Sequence, residues 1–364
     1  MLSNISLNSC ISLEEIEFKK NGTLISIGSN VFKGCDKLIS VNLPESLTKL
    51  DASAFTGSSV QEVYVPSKIK SLGVSAFDGV STLSRVTGMR GLTEISDKAF
   101  KGTSITVIEI PESVTSIGEN AFEGCKVLTS VKGMKSVETI GKNSFKGCSL
   151  LMSFAMPEKV REIPEGMFYN CTSLSSVTGL EDITTVNNDA FNNTQALKEL
   201  SFPEVMSVGM SAFNGSGIAS VSLPKAENIK MYALRDCKSL SKVVLCDVLT
   251  ALPRGMFAGC ESLKSVTLPK NVSTIGDLAF VCSGIETIVI PAGVTDLPVS
   301  DFAYTSTDPE TGVKTNCKGM FENCKSLKSV TIEGDISAIS EGMFRNCVSL
   351  ESFDLSNIAS IGTE

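Results

Sequence analysis

The chain has 364 residues, of which 42% are hydrophobic and 20% charged, a balance typical of a folded protein with a core. The net charge of −8 and the isoelectric point near 5.0 argue against nucleic acid and anionic membrane surfaces as partners, because phosphate groups need a basic face. No apolar run approaches the roughly 20 residues that span a bilayer, and the N-terminus lacks a signal-peptide pattern, so we expect no membrane insertion.

Phenylalanine recurs along the chain at a nearly fixed spacing, which is 22 or 23 residues through the first nine positions. A period in this range predicts a solenoid, in which each repeat is one coil that buries its apolar side only against its neighbours. We therefore predict a single body over residues 1–364 with about 15 coils and a central column of rings. The predicted column consists of Phe32, Phe55, Phe77, Phe100, Phe122, Phe145, Phe168, Phe191, Phe213, Leu234, Phe257, Phe280, Phe302, Phe321 and Phe344.

Each repeat predicts the same order of elements. A strand is expected at the LxxVxL pattern, where alternate residues point into the core; examples are residues 38–43, 263–268, 327–332 and 350–355. A proline such as Pro66 or Pro111 ends most strands because it cannot donate a ladder hydrogen bond, whereas Gly88, Gly133 and Gly179 replace it in three coils. The Ala-Phe element that follows predicts one short helical turn with a left-handed exit. Exit residues include Gly34, Gly124, Asn170 and Asn346.

Nine of the twelve cysteines recur three residues after the phenylalanine position or its equivalent: Cys10, Cys35, Cys125, Cys148, Cys171, Cys237, Cys260, Cys324 and Cys347. This spacing predicts a column of buried thiols, with some disulfides or a metal site as alternatives. A zinc site is disfavoured because the chain has no CxxC pair and no histidine. Cys246, Cys282 and Cys317 lie off the column, and Cys317 is the thiol that we expect to be exposed.

The repeat is interrupted at residues 303–320, where Asp308 and Glu310 belong to a DPETG sequence that predicts the tip of a turn or hairpin. Such an insertion is either a tolerated decoration or a contact loop on a working face. A calcium site that combines these two residues with Asp301 is disfavoured, because the spacing matches no known loop. Both ends of the chain resemble interrupted repeats, so we expect a segment of a longer protein.

Outward strand positions define the face on which a partner could bind. From about residue 130 onward this face is small and hydroxylated, as a plain solvated sheet would be. Interface hot spots favour Trp, Tyr and Arg, and of these the face offers Tyr64 and Arg85. With the neighbouring Glu62 and Glu109 they form the candidate protein-binding patch, to which Asp308 and Glu310 are added as candidates from the insertion.

The residue types give little support for catalysis. Without histidine, Ser-His-Asp and Cys-His arrangements are impossible, and the acidic residues fall mainly at solvated turns. Glycines occur at turn positions with the period of the repeat, and no glycine-rich phosphate loop precedes a helix. We therefore predict that the chain is not an enzyme and has no cofactor and no metal.

The pattern LxxVxLPxxVxxIGxxAFxGC, nearly complete at residues 263–282, resembles the BspA-like family of bacterial surface leucine-rich repeats. The resemblance covers essentially the whole chain and implies a curved, right-handed leucine-rich repeat solenoid with a parallel sheet on its concave side. It also implies a secreted or cell-surface module that binds proteins, including host matrix and neighbouring cells. We expect such a module to be a monomer. The alternatives are a spacer or stalk that presents another domain and, because related repeats occur in parasitic protists, an intracellular scaffold.

Overall fold

A computed structural model describes residues 6–18, 22–307 and 312–362. The chain forms two compact units, of which the first comprises Met1–Val160 and Pro164–Gly179, and the second Arg161–Ile163 and Leu180–Glu364. Each unit is a solenoid of stacked coils whose short strands pair in parallel with strands of adjacent coils. The fold class predicted from the repeat is therefore confirmed.

Most strands have two to four residues, because each coil turns soon after its strand. They are β1 (Glu15–Ile16), β2 (Ser26–Ile27), β3 (Ser40–Val41), β4 (Lys49–Leu50), β5 (Glu62–Val65), β6 (Arg85–Gly88), β7 (Glu94–Ile95), β8 (Val107–Glu109), β9 (Ser116–Ile117), β10 (Ser130–Lys132), β11 (Thr139–Ile140), β12 (Ser153–Ala155), β13 (Glu162–Ile163), β14 (Ser176–Thr178), β15 (Thr185–Val186), β16 (Glu199–Ser201), β17 (Ser207–Val208), β18 (Ser220–Ser222), β19 (Asn228–Ile229), β20 (Lys242–Val244), β21 (Ala251–Leu252), β22 (Thr274–Ile275), β23 (Thr287–Ile290), β24 (Tyr304–Thr307), β25 (Lys314–Cys317), β26 (Ser329–Ile332) and β27 (Ser352–Phe353).

Two kinds of strand make up the first unit. The predicted LxxVxL strands form one set, with the sheet β1-β3-β5-β6 and the pairs β8-β10 and β12-β14. In β5 the outward Glu62 and Tyr64 alternate with the inward Val63 and Val65, as period-two alternation requires. The second set consists of β2-β4 and β7-β9-β11. These strands lie at the repeat position that the Ile-Gly pair occupies in the pattern LxxVxLPxxVxxIGxxAFxGC. The sequence did not predict this set, because two residues are too few for an alternating pattern.

The second unit repeats both sets. Its LxxVxL strands form the sheets β16-β18-β20 and β23-β26-β27, but residues 263–268, where a strand was predicted, form none. The strands at the position of the Ile-Gly pair form β13-β15-β17-β19 and β21-β22. At the interruption, β24 and β25 form an antiparallel hairpin in which Tyr304 lies opposite Cys317. The predicted turn of this hairpin, including Asp308 and Glu310, lies outside the described residues.

The Ala-Phe element is not the short helical turn that the sequence predicted. Alternate backbone N–H groups bond to the next coil: that of Asn30 to the Ala52 carbonyl, that of Phe32 to the Ala54 carbonyl and that of Gly34 to the Thr56 carbonyl, at 2.8–3.0 Å. The exit Gly34 has a φ of 67°, as predicted, but the entry residue Asn30 is also left-handed, with a φ of 59°. These two left-handed residues turn the donors toward the neighbouring coil. In the described residues, the only helix is the 3₁₀ helix Met134–Ser136.

The phenylalanine rings form a stacked column inside each unit. From Phe32 to Phe168 in the first unit, successive ring centroids lie 5.0–6.4 Å apart with interplanar angles of 25° or less. These distances fall in the range in which aromatic pairs attract each other beyond the effect of burial alone. In the second unit Phe191 stacks on Phe213 at 5.5 Å, and Leu234 is fully buried, as its place in the repeat predicted.

Phe302 was predicted to continue the column, and this prediction is wrong. The Phe302 side chain is 67% exposed, whereas Phe280 stacks directly on Phe321 with centroids 5.4 Å apart. Likewise β23 pairs with β26, so the chain between them adds a hairpin without breaking the core. The guanidinium of Arg254 lies 4.7 Å from the Phe302 ring centroid, at the edge of this insertion.

Candidate protein-binding site

The outward residues predicted as a patch lie on three strands of the first unit. Glu62 lies directly opposite Arg85 in the pairing of β5 with β6, and Tyr64 lies opposite Thr87. Glu109 is on β8, which pairs with β10. All four predicted residues are exposed, and the Tyr64 side chain is 45% exposed.

A cleft of about 950 Å³ brings two of the four predicted residues together. Tyr64 and Glu109 line it, whereas Glu62 and Arg85 do not. Exposed Arg90 and Glu112, in the turns that follow the strands, add one cationic and one anionic side chain to the lining. The cleft thus brings together an aromatic ring, a guanidinium and two carboxylates.

Two glycines that line the cleft, at the strand ends, lie too close to the preceding coil to carry a side chain. Gly88 has a φ of 81°, and a Cβ built there would lie 2.2 Å from the Val65 carbonyl oxygen and 3.1 Å from Cε2 of Tyr64. Gly133 has a φ of 76°, and its Cβ would lie 2.0 Å from the Ile110 carbonyl oxygen. A side chain is excluded at both positions by backbone conformation and by contact. The sequence contains this signal, because glycine replaces the usual proline in these coils. The sequence alone did not show that the two turns line the same cleft.

Arg85 and Glu62 form a loose ion pair beside the cleft. Their Nη1 and Oε2 atoms are 3.7 Å apart, and the side chains are 67% and 65% exposed. Exposed pairs of this kind contribute about 0–1 kcal/mol because water screens them and side-chain ordering opposes them. Both groups are therefore available to a partner at little cost to the fold.

The insertion is anchored to the second unit through Tyr304. Its hydroxyl donates a hydrogen bond to Oδ1 of Asp236 over 2.5 Å, and the Arg235 guanidinium lies 5.0 Å from its ring centroid. Burial, followed by the Asp236 charge, raises the pKa of Tyr304, so the phenol stays protonated as a donor. A second cleft, of about 720 Å³, lies between the hairpin and the adjacent turns and is lined by Asp236, Tyr304 and Cys282.

Cys317 was predicted to be the exposed thiol, and the structure contradicts this. The side chain is fully buried in a small cluster with Ala258, Leu278, Val281 and Tyr304. The reason is the hairpin, which turns Cys317 toward the coils opposite Tyr304. The irregular sequence of residues 303–320 therefore does not indicate an exposed side chain at Cys317.

Seven of the nine column thiols are buried, which agrees with the leading prediction, whereas Cys10 and Cys347 are half-buried. The Sγ of Cys125 donates to the Phe100 carbonyl at 3.1 Å, and that of Cys171 to the Phe145 carbonyl at the same distance. Burial raises the pKa of Cys125 to about 11 and that of Cys171 to about 12, so both stay protonated near neutral pH. In a coil without the cysteine, Thr103 occupies the same position, and its hydroxyl donates to the Phe100 carbonyl of its own coil at 2.9 Å.

Neither a metal-binding cluster nor a membrane-spanning helix occurs in the described part of the chain. No three histidine, cysteine or acidic side chains in residues 6–18, 22–307 and 312–362 are grouped as a metal site would need. Within those same ranges, no helix has the length and apolar character required to cross a membrane.

The fold is a leucine-rich repeat solenoid, because its coils stack and their LxxVxL strands pair in parallel. The family model described as the BspA type leucine rich repeat region, in 6 copies, matches residues 2–109, 93–218, 184–308 and 306–364. The chain therefore belongs to the BspA-type leucine-rich repeat family, as the resemblance indicated. Among curated proteins, none matches the sequence.

Several solved structures are similar to this chain. A leucine-rich repeat protein from Bacteroides ovatus has 19% sequence identity and a TM-score of 0.57, with 98% of this chain and 79% of that one covered. The pneumococcal vaccine antigen PcpA has 17% identity and a TM-score of 0.60, with 99% and 91% covered. A leucine-rich cell surface protein from Faecalibacterium prausnitzii has 24% identity and a TM-score of 0.41, with 90% and 75% covered. At these identities, the first two similarities support the fold alone.

Proposed function

We propose that the chain is a non-catalytic, monomeric module of a secreted or cell-surface protein that binds other proteins through its first unit. The observation that carries this proposal is the cleft where exposed Tyr64, Arg90 and Glu109 meet. Tyrosine and arginine are the residue types that dominate binding energy at protein interfaces. Here they project from strands whose inward residues are held in the core, so binding requires little ordering of the surface.

A location outside the cell and a role in adhesion fit the family. The resemblance implies a module that acts at cell surfaces on host or neighbouring-cell macromolecules, and one similar structure is a vaccine antigen. The acidic net charge of −8 supports a protein partner over nucleic acid. The lack of histidine in the sequence supports binding over catalysis, since the commonest acid–base side chain is missing.

The proposal is tested by binding of the purified protein to immobilised matrix proteins and to intact host cells. We expect saturable binding to at least one of them. Replacing Tyr64 and Arg90 with alanine should weaken it by at least about tenfold, because truncation of one central hot-spot residue costs about 2 kcal/mol. Surface plasmon resonance measures the affinity, and circular dichroism checks that the variant is folded.

A matched control is a double variant on the second unit, with Lys242→Ala on β20 and Val289→Ala on β23. These residues are exposed strand residues, as Tyr64 is, but they belong to other coils. They should leave the affinity unchanged. If no matrix protein or cell binds, the spacer alternative replaces the proposal. If the Tyr64 and Arg90 variant binds like the wild type, the cleft is not the binding site.

A further inference from the structure

We propose that Cys282 and Cys317 form an intramolecular disulfide when the protein meets a low-molecular-weight disulfide, and that this bond fastens the hairpin to the solenoid of the second unit. Their Sγ atoms lie 3.9 Å apart, although the residues are 35 positions apart in sequence. A disulfide bond is about 2.05 Å long, so the sulfurs must approach each other by about 1.9 Å. Rotation of the two side chains with a small shift of the hairpin supplies a movement of this size.

The two cysteines occupy different elements. Cys317 ends β25 and is fully buried, and Cys282 occupies the left-handed turn that follows Phe280, with a φ of 55°. Both lie off the regular cysteine column. A bond between them therefore joins the inserted hairpin to a regular coil, where it closes a long loop of chain.

Access distinguishes Cys282 from the seven buried thiols of the column. Cys282 is half-buried and lines the 720 Å³ cleft between the hairpin and the turns, so a small oxidant reaches it from solvent. In contrast, Cys148 and Cys260 are fully buried and donate to the carbonyls of Phe122 and Leu234. Oxidation should therefore reach Cys282 before these buried thiols.

The chemistry is a pair of thiol–disulfide exchanges. The Cys282 thiolate attacks one sulfur of the oxidant, and one low-molecular-weight thiolate leaves. Cys317 then attacks the Cys282 sulfur, the second thiolate leaves, and the proton of Cys317 passes to it. The protein loses two electrons and two protons, and the oxidant is reduced to two thiols.

The surroundings of Cys317 suit it to the second step. The hydrogen bond with Cys282, together with burial, raises the pKa of Cys317, so it is a poor first nucleophile. Nδ2 of Asn323 lies 2.9 Å from its Sγ and donates a hydrogen bond to it, which stabilises the thiolate when it forms. Once Cys282 carries the mixed disulfide, the nearest attacking sulfur is already in place.

The test treats reduced protein with oxidised glutathione, alkylates the remaining thiols after unfolding, and maps the peptides without reduction. We expect a Cys282–Cys317 linked peptide and the loss of two of the twelve thiols, with Cys148 and Cys260 alkylated. A stable glutathione adduct on Cys282 without the link, or links among column thiols or between chains, would overturn the proposal.

Variants separate this link from general oxidation. Cys282→Ser and Cys317→Ser should each abolish the loss of two thiols, whereas Cys10→Ser, which removes a partly exposed column thiol, should keep the Cys282–Cys317 link. Loss of two thiols in Cys317→Ser at the wild-type rate would contradict the assignment. If Cys317→Ser does not fold, the wild-type peptide map and Cys282→Ser decide the question.

Discussion

The thiol of Cys148 donates a hydrogen bond to the backbone carbonyl of Phe122, one coil earlier in the stack, over 3.2 Å. The cysteine column and the phenylalanine column are thus joined, because the thiol contacts the backbone carbonyl of a residue whose ring is in the stack. The same carbonyl also accepts the backbone N–H of Cys125 at 3.2 Å, so the thiol is its second donor. We expect Cys148→Ala to lower the free energy of unfolding by about 0.5–1.5 kcal/mol, the net contribution of one hydrogen bond, as measured by urea denaturation. Cys10→Ala, at a partly exposed position of the same column, should have a smaller effect.

Alkaline pH should destabilise the protein through these thiols. Burial raises the pKa of Cys125 to about 11 and that of Cys237 and Cys324 to about 12, from an ordinary value of 9.0. Above pH 9 the unfolded chain loses thiol protons that the folded chain keeps, so stability is fully present below pH 9 and falls between pH 9 and about 12. For each thiol, every tenfold difference in proton affinity between the folded and unfolded chain corresponds to about 1.4 kcal/mol of stability.

Urea midpoints between pH 7 and pH 10.5 would measure this fall. The variant Cys125→Ala should show a shallower decline than the wild type, since it has one thiol fewer to ionise on unfolding. A stability that is flat with pH up to 10.5 would contradict the effect of burial on these pKa values.

The ring column should be far more sensitive to truncation than the exposed ring of the insertion. Phe122 is fully buried between Phe100 and Phe145, so Phe122→Ala should cost about 3–5 kcal/mol. Phe302→Ala removes an exposed ring that contacts Arg254, and should cost about 1 kcal/mol or less. Thermal and urea unfolding of both variants gives the comparison, and equal losses would mean that Phe302 belongs to the column after all.

The glycine of the Ile-Gly element should resist replacement for reasons of space. A Cβ at Gly118 would lie 2.5 Å from the Asp97 backbone nitrogen, so Gly118→Ala must push neighbouring coils apart. Gly57 is left-handed, but a Cβ there has no atom within 4 Å, so Gly57→Ala should cost only the conformational penalty of about 1–2 kcal/mol. Urea midpoints should therefore fall further for Gly118→Ala, and the opposite order would refute the close-approach argument.

Removal of one hydroxyl should loosen the hairpin. Tyr304→Phe loses the bond to Asp236 and leaves that carboxylate without this donor, which should cost about 1.5–3 kcal/mol locally. Trypsin should then cleave sooner at exposed Lys314 of β25, as followed by mass spectrometry. Tyr64→Phe, which alters an exposed phenol in the first unit, serves as the control and should leave the cleavage rate unchanged.

Period and pattern predicted the parts of the fold that repeat. The ring column, the LxxVxL strands and the buried column thiols all follow from residues at constant spacing, because each coil presents the same face to the next. The helical-turn prediction failed because Asn30 is left-handed at its entry, which directs backbone donors to the next coil instead of along its own.

The irregular parts depended on contacts that spacing does not encode. Phe302 follows Phe280 at the regular spacing of the repeat, yet Phe280 stacks on Phe321 and Phe302 is exposed. Cys317 is buried only because β24 and β25 pair. At the candidate site, Tyr64 and Glu109 were predicted from residue type, whereas the cleft also needs Arg90, Glu112 and two side-chain-free turns from different coils.

The direct stacking of Phe280 on Phe321 has an evolutionary consequence. The two rings stack with centroids 5.4 Å apart although a hairpin lies between them in sequence. A longer chain between Phe280 and Phe321 therefore does not disturb the phenylalanine column. Mutations that extend or diversify the hairpin can therefore accumulate under selection for new surface chemistry, while the architecture of the array is inherited unchanged.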